Sequence, residues 1–388
     1  MRFMQVSEIQ LGFNAESGKR WGRDRAVERT ESLRRVVEKA AEASCELLVI
    51  TGGLFSHQPV TSELEEVNRL FLSVPAIEIV WIAGESDCLR PNSPIKSFSF
   101  APNVHFIESG APVRLDLFRL NTAVYALSKT DERFAEEAGE TESETEGEKE
   151  AEADSALQAS PLERLLSFAA ADSEAKESIR FLVCRGASLE ETKHVLHKAA
   201  SQFSYAAVGG GRSYQELVPD KAYDSGCVEP LGMHDAGMHG VCIGDISNAT
   251  GRLIKLDFVP LAKASYLQLV FQVTEETTAK ALLQLAEEEL SARGKNNIYR
   301  LRLTGRRDPD ETFDLSELED RYRIEEIVDD TEPQYNFAAL FAEHPQDMIG
   351  YYISTFRKQT DALSEIERQA MYYGIDALLK TADREKKQ

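Results

Sequence analysis

A chain of 388 residues with 42% hydrophobic and 28% charged side chains is long enough for one large core with appendages. No apolar run reaches the roughly 18 residues needed to cross a bilayer, and a net charge of −22 argues against non-specific affinity for bare DNA. The five cysteines (Cys45, Cys88, Cys184, Cys227, Cys242) are widely spaced and odd in number, without a CxxC pair, which argues for reduced thiols in a cytoplasm rather than a disulfide framework or zinc site.

The first six residues read as a strand, too short and too polar beyond Val6 for a signal peptide. A helix is expected around 24–43, where Ala26, Leu33, Val36, Val37 and Ala40 share a face. The strand Leu47, Leu48, Val49, Ile50 follows, then a helix near 62–73 and a strand over 77–83 that ends in Gly84. This order implies parallel, right-handed βαβ units. Further strands are expected at 104–107, 113–119 and 122–127.

Between Asp131 and Asp154 twelve acids and two bases stand in 24 residues with almost nothing apolar, so 131–160 reads as a solvated, disordered insertion. A helix near 161–169, a strand at 181–184, a helix over 189–202 and a strand at 205–208 come next. Several strands with glycine turns fill 222–260, which suits a sheet-on-sheet core with flanking helices.

Near residue 262 the pattern restarts with a strand over 266–273. Thr274 is the expected N-cap of the next helix, with Glu275 and Glu276 in its first turn, where the helix dipole favours acids. Leu282, Leu283, Ala286 and Leu290 form its apolar face, Gly294 its C-cap, and strands follow at 298–304 and 321–328. The last fifty residues are expected to be helical. There Leu363, Ile366, Ala370, Tyr373 and Ala377 recur at helical spacing as a narrow stripe, suited to packing on its own chain or on a partner helix. The expected division is a core over 1–261, a small capping α/β domain over 262–332 and a helical partner-binding segment over 333–388.

Two groups of polar residues bear on function. Six bases and no acids lie between Ser291 and Arg307 (Arg293, Lys295, Arg300, Arg302, Arg306, Arg307), which fits either a DNA contact or the solvent-facing side of a sheet. The histidines His57, His194, His197, His234 and His239 form no ligand pattern with a third partner.

Several phrases, in order, resemble the nuclease subunit of SbcCD-type and YhaO-type DNA-repair complexes, within the calcineurin-like metallophosphoesterases. "VSEIQLGF" (6–13) is similar to that family's ADIHLGF, "ELLVITGGLFSHQPV" (46–60) to its GDLF segment, and "IAGESDCLRPNSP" (82–94) to its GNHD segment. "FLVCRGA" (181–187), "YAAVGGGRSYQ" (205–215), "SGCVEPLG" (225–232) and "YRLRLTGR" (299–306) continue the likeness. The resemblance implies a four-layer α/β/β/α sandwich, and a C-terminal segment that docks on the coiled coil of an SbcC-like or YhaN-like ATPase. A homodimer and a DNA contact stay open.

Such enzymes hold two metals about 4 Å apart on Asp, His and Asn side chains at strand ends. Here the corresponding positions are Glu8, Gln10, Gly53, Glu85, Ser86, Arg185, Gly210 and Arg212, and only Asp87 of the GNHD segment survives. The expectation is a catalytically inactive scaffold without a metal cofactor, in which Arg185 and Arg212 pair with Glu8 and Glu85 where metals would sit. The competing readings are an exonuclease using Mn or Mg on Glu8, Glu85 and Asp87, and a protein adaptor unrelated to DNA.

Overall fold

The computed structural model describes residues 1–131, 159–172, 179–235, 237–357 and 364–386. The acidic insertion expected at 131–160 lies almost wholly outside the described residues, as does Leu363. The chain forms two compact units, Met1–Tyr266 and Leu267–Gln388.

The first unit opens with β1 (Arg2–Val6), α1 (Gly22–Thr30), α2 (Ser32–Glu42), β2 (Leu47–Ile50), α3 (Thr61–Leu72), β3 (Glu78–Ile82), a single turn α4 (Pro94–Ser97) and β4 (Val104–Ile107). It continues with β5 (Val113–Leu117), β6 (Thr122–Ala126), α5 (Pro161–Ala171), β7 (Ile179–Arg185), α6 (Leu189–Lys198) and β8 (Tyr205–Gly209). Strands β9 (Gln215–Val218), β10 (Ala222–Asp224), β11 (Gly240–Ile246) and β12 (Leu253–Pro260) complete it.

One sheet has the order β12-β11-β1-β2-β3-β4 and the other β5-β6-β7-β8-β10-β9. Strands β1 to β4 run parallel, as do β6, β7, β8 and β10. The pleat sends alternate residues to opposite faces. Leu48 and Ile50 therefore meet Val36, Leu64 and Phe71 of the helices. Leu47 and Val49 meet Val124, Phe181 and Tyr205 of the second sheet. Behind that sheet, Leu182 and Ala206 pack on Leu165 and Leu196 of α5 and α6. The result is the four-layer α/β/β/α order expected from the sequence.

Gln5 is the polar exception between the sheets. Its amide donates to the Val208 and Tyr223 carbonyls at 2.9 and 2.8 Å and accepts from the Tyr205 hydroxyl at 2.6 Å. A buried amide so fully satisfied ties the sheets together at one register.

The helix expected over 24–43 is two helices, because the Ser32 hydroxyl donates to the Arg29 carbonyl at 2.6 Å and competes with the helical ladder. The inward face of α1 is also not the expected one. It turns Arg25 and Arg29 inward, both fully buried. Arg29 pairs with Glu16, which accepts from the Tyr266 hydroxyl, while Arg25 pairs with Glu229 at 2.8 Å. Glu229 also pairs with Arg35 and accepts from the Lys263 amide at 2.9 Å. Burial opposes the Arg29 charge, and the Glu16 carboxylate outweighs it, holding the guanidinium above its ordinary range.

In the second unit, β13 (Tyr266–Val273), β14 (Ile298–Arg307) and β15 (Arg323–Pro333) form a three-stranded sheet whose core includes Leu282, Ala286 and Leu290 of α7 (Ala279–Arg293). The N-cap of α7 is Thr278, whose hydroxyl accepts from the Ala281 amide, and not Thr274. Thr274 instead closes the preceding turn with Thr277, so Glu275 and Glu276 precede the helix. Helices α8 (Phe337–Glu343), α9 (Met348–Arg357) and α10 (Glu365–Lys386) end the chain. Among the described residues no helix is long and apolar enough to cross a membrane.

Truncating Glu229 would leave the buried Arg25 and the half-buried Arg35 each short of a carboxylate, at a cost of about 3–5 kcal/mol. A urea titration of Glu229→Ala should show that loss as a lowered midpoint with an unchanged slope, and a midpoint at the native value would contradict the network's role.

Candidate functional site

The parallel strands of both sheets deliver their C-terminal ends to one place, as open α/β sheets do around ligand crevices. Strand β1 supplies Glu8 and Gln10, β2 the turn Thr51-Gly52-Gly53, β3 the loop Gly84 to Asp87, and β7 and β8 supply Arg185 and Gly210. Glu8 and Gln10 hold left-handed backbone conformations, φ 49° and 56°, unusual for side chains with a Cβ. Hydrogen bonds from their amides to the Gly52 and Gly53 carbonyls at 3.1 and 2.9 Å keep them there.

At the centre, the Arg185 Nη1 donates to Glu8 Oε1 at 2.6 Å and to the Thr51 carbonyl at 3.3 Å. Glu8 Oε2 accepts from the Gln10 amide at 2.6 Å, and Gln10 also reaches the Ser86 hydroxyl at 3.4 Å. The Arg185 and Glu8 side chains are only 13% and 11% exposed. Burial works against the Arg185 charge, and Glu8 more than offsets it, so the guanidinium stays above its ordinary range.

Gly53 shows why this arrangement and a longer side chain at that position compete for one space. A Cβ at Gly53 would lie 2.4 Å from Glu8 Oε2, and one at Gly52 would lie 2.7 Å from Arg185 Nη1. The Glu8 carboxylate fills the space that a side chain at 53 would need.

Two buried carboxylates flank the pair. Asp87 accepts from the amides of Gly84 (2.6 Å), Leu54 (2.9 Å) and Phe55 (3.2 Å). Asp224 accepts from Gly211 at 2.7 Å and Gly226 at 2.8 Å. Burial pushes both carboxyls up against these amides, Asp224 to about 6. Glu8 raises each further and Arg185 lowers each. Asp224 was not a sequence candidate. Its only signal was its place directly before the matched phrase at 225–232.

Half of the expected charge replacement is present. Arg185 pairs with Glu8, but Arg212 turns away to Asp235 at 3.2 Å with its side chain 64% exposed. Asp235 also accepts from the Leu231 amide, so the 231–235 turn presents a carboxylate that outcompetes the cavity. Glu85 is likewise drawn outward, 3.6 Å from Lys129 and 66% exposed.

Glu8, Glu85 and Asp87 are therefore not gathered. Glu8 is engaged by a cation, Asp87 by backbone amides, and Glu85 faces solvent. Among the described residues no group of three or more His, Cys, Asp or Glu is placed to hold a metal ion. The donor set present does not fit a two-metal centre, because a permanent cation stands beside the carboxylate. Beside Arg185 opens a cleft of about 940 Å³ whose walls mix charges, Arg90 paired with Asp131 and Lys129 with Glu85.

The remaining candidates are placed as follows. His57 pairs with Glu63 at 3.0 Å, and His239 is buried between the Cys227 and Asp235 carbonyls. The basic run of the second unit meets an acidic neighbour. Arg300 pairs with Glu326 at 2.9 Å, Arg302 with Asp330 at 2.6 Å and Arg293 with Glu289 at 2.9 Å. Arg307 donates to the carbonyls of Asp308, Pro309 and Glu311, Lys295 lies 6.0 Å from the Tyr322 ring, and exposed Arg306 stands opposite Glu332. Across the β14–β15 pairing the charges of Arg300 and Arg302 are cancelled.

On α10, Ile375 faces inward onto Ile349 and Ile353 of α9, and Met371 is buried. Ile366 and Tyr373 are 79% and 77% exposed, with Ala370 exposed between them. Of the stripe picked out in the sequence, Ile366, Ala370, Tyr373 and Ala377 thus lie on the outward face of the helix.

No protein-family model matches the sequence, and no curated protein matches it. Solved structures similar to the chain include TT1561 of Thermus thermophilus, at 12% identity and TM-score 0.35 over 66% of this chain and 98% of that one. A hypothetical protein from the same organism aligns at 9% identity and TM-score 0.37, over 66% and 97%. A dimetal phosphatase from Danio rerio aligns at 11% identity and TM-score 0.32, over 63% and 92%.

Carboxyl NMR should place the Asp224 midpoint near 6, the value that burial imposes. Because this lies above the ordinary 3.8, the group's contribution to stability is complete below that pH and is lost as pH rises through 6. Arg185→Gln should move the midpoint up and Glu8→Gln down. A midpoint that ignored both changes would contradict the shared electrostatics of the site.

Proposed function

We propose that the chain is a catalytically silent, nuclease-like subunit that scaffolds a coiled-coil ATPase of the SbcC or YhaN kind. The observation that carries the reading is the Arg185–Glu8 ion pair at 2.6 Å, a guanidinium held at the strand ends where a phosphoesterase needs metal ligands. An enzyme of that class needs metals to generate a hydroxide and to neutralise charge on the transferring phosphorus. A guanidinium can do the second but never the first, since it neither releases protons nor activates water in this range.

What the scaffold retains is a surface. Ile366, Ala370 and Tyr373 present an apolar stripe at 4-3 spacing while the opposite side of α10 is packed on its own chain. Such a stripe fits the seam of a helical partner by knobs-into-holes packing. DNA contact through Arg300 and Arg302 is the weaker part of the proposal, because both are committed to carboxylates.

Two readouts test this reading. Hydrolysis of a chromogenic phosphodiester with Mn²⁺ should be indistinguishable from buffer, and turnover abolished by Glu8→Ala with Asp87→Ala would refute the silent-enzyme claim. Co-purification with a coiled-coil ATPase encoded beside this chain should be lost in Ile366→Glu with Tyr373→Glu. Retention of the ATPase by that variant would show that the stripe is not the docking surface. Both side chains are exposed, so the substitutions should leave the unfolding free energy within about 0.5 kcal/mol of native.

A further inference from the structure

On the loops that flank the Arg185–Glu8 pair, Ser56, His57 and Glu63 stand in line. Ser56 follows the Gly52-Gly53 turn after β2, His57 comes next, and Glu63 lies in the first turn of α3. His57 Nε2 is 3.0 and 3.1 Å from the two Glu63 carboxylate oxygens, and His57 Nδ1 is 3.3 Å from the Ser56 hydroxyl. A carboxylate only accepts, so Nε2 bears the ring proton and donates it to Glu63. In the neutral ring that leaves the Nδ1 lone pair facing the Ser56 hydroxyl.

Each member is held in place. Glu63 Oε2 also accepts from the Val60 amide at 2.9 Å, which fixes the carboxylate at the start of α3. Gly12 backs the ring, with φ at 83°, and a Cβ there would lie 2.6 Å from His57 Cε1. At rest the Ser56 hydroxyl donates to the Leu11 carbonyl at 3.0 Å, its competing acceptor. The His57 backbone amide has no hydrogen-bond partner among the described residues. The amide that follows a nucleophilic serine is where a developing oxyanion finds a donor.

We propose that Ser56, His57 and Glu63 form an acyl-transfer site for small, activated carboxylic esters, separate from the phosphoesterase centre and independent of metal. Nucleophile, base and orienting group follow one another, the order that activates a serine. The 3.3 Å contact is a resting one, which tightens when substrate draws the hydroxyl off Leu11. Ser56 Oγ then bonds to the acyl carbon while its proton passes to His57 Nδ1. The bond from that carbon to the leaving oxygen breaks, and the leaving group takes up the proton. Water attacks the acyl-serine through the same base, releasing the acid and restoring the hydroxyl. Glu63 touches no reacting atom and is a positioning residue, holding the tautomer. The His57 and Glu63 side chains are 44% and 33% exposed, so the site is shallow and suits small esters with good leaving groups.

The full chain in EDTA, given p-nitrophenyl acetate and separately a fluorophosphonate probe, provides the test. Nitrophenolate release should exceed that of buffer, and mass spectrometry should place the phosphonyl adduct on Ser56. Ser56→Ala and His57→Gln should each lower turnover by roughly tenfold or more. Glu63→Gln should slow acylation with KM unchanged, which a residue that only caps α3 would not do. Release no faster than buffer, an adduct on His57 in place of Ser56, or turnover that survives Ser56→Ala would overturn the proposal. The adduct is read on the native chain, so a variant that fails to fold does not blunt the test.

Discussion

The contact between Arg185 and Glu8 is the interaction around which the upper end of the sandwich is arranged. It links the loop after β1 in one sheet to the end of β7 in the other, 177 residues apart in the chain. Desolvating two charges is costly, and their attraction repays the cost only when geometry and extra hydrogen bonds are good. Here Gln10 satisfies the second carboxylate oxygen and the Thr51 carbonyl takes a further guanidinium donor. Removing either partner would leave a buried charge, at a cost of about 3–5 kcal/mol. The pair also fixes what else the site can contain, because Glu8 occupies the space beside Gly53.

Charge compensation recurs through the molecule. Arg25, Arg29 and Arg35 are matched by Glu16 and Glu229 beneath the helices. Arg300 and Arg302 are matched by Glu326 and Asp330 across two strands. A net charge of −22 therefore says little about any one surface. Where cations are buried they meet carboxylates, and the free choice of partner lies with apolar groups such as Ile366 and Tyr373.

Much of the architecture was legible from periodicity. Strands β2 and β13 fall on the expected residues, and the parallel order of β1 to β4 follows from the βαβ reading. The Arg185–Glu8 pair was foreseeable because motif positions in this fold converge at strand ends whatever residues fill them. Arg212 was not, since its partner Asp235 lies in a turn that no motif position marks. The basic run misled for a related reason: a linear window counts Arg300 and Arg302 but cannot see that β15 lies beside them in parallel register. Inward-facing Arg25 and Arg29 broke the rule that charged helix positions face water, and the buried Glu16 and Glu229 help make that placement tolerable.

The central claim is that a guanidinium stands where catalytic metals would have to bind. Titrating Mn²⁺ into the full chain and following the free ion by electron paramagnetic resonance tests it directly. With Arg185 seated on Glu8, the signal should grow in proportion to added Mn²⁺, as in buffer. Stoichiometric loss of that signal, reversed by Glu8→Ala with Asp87→Ala, would contradict the claim.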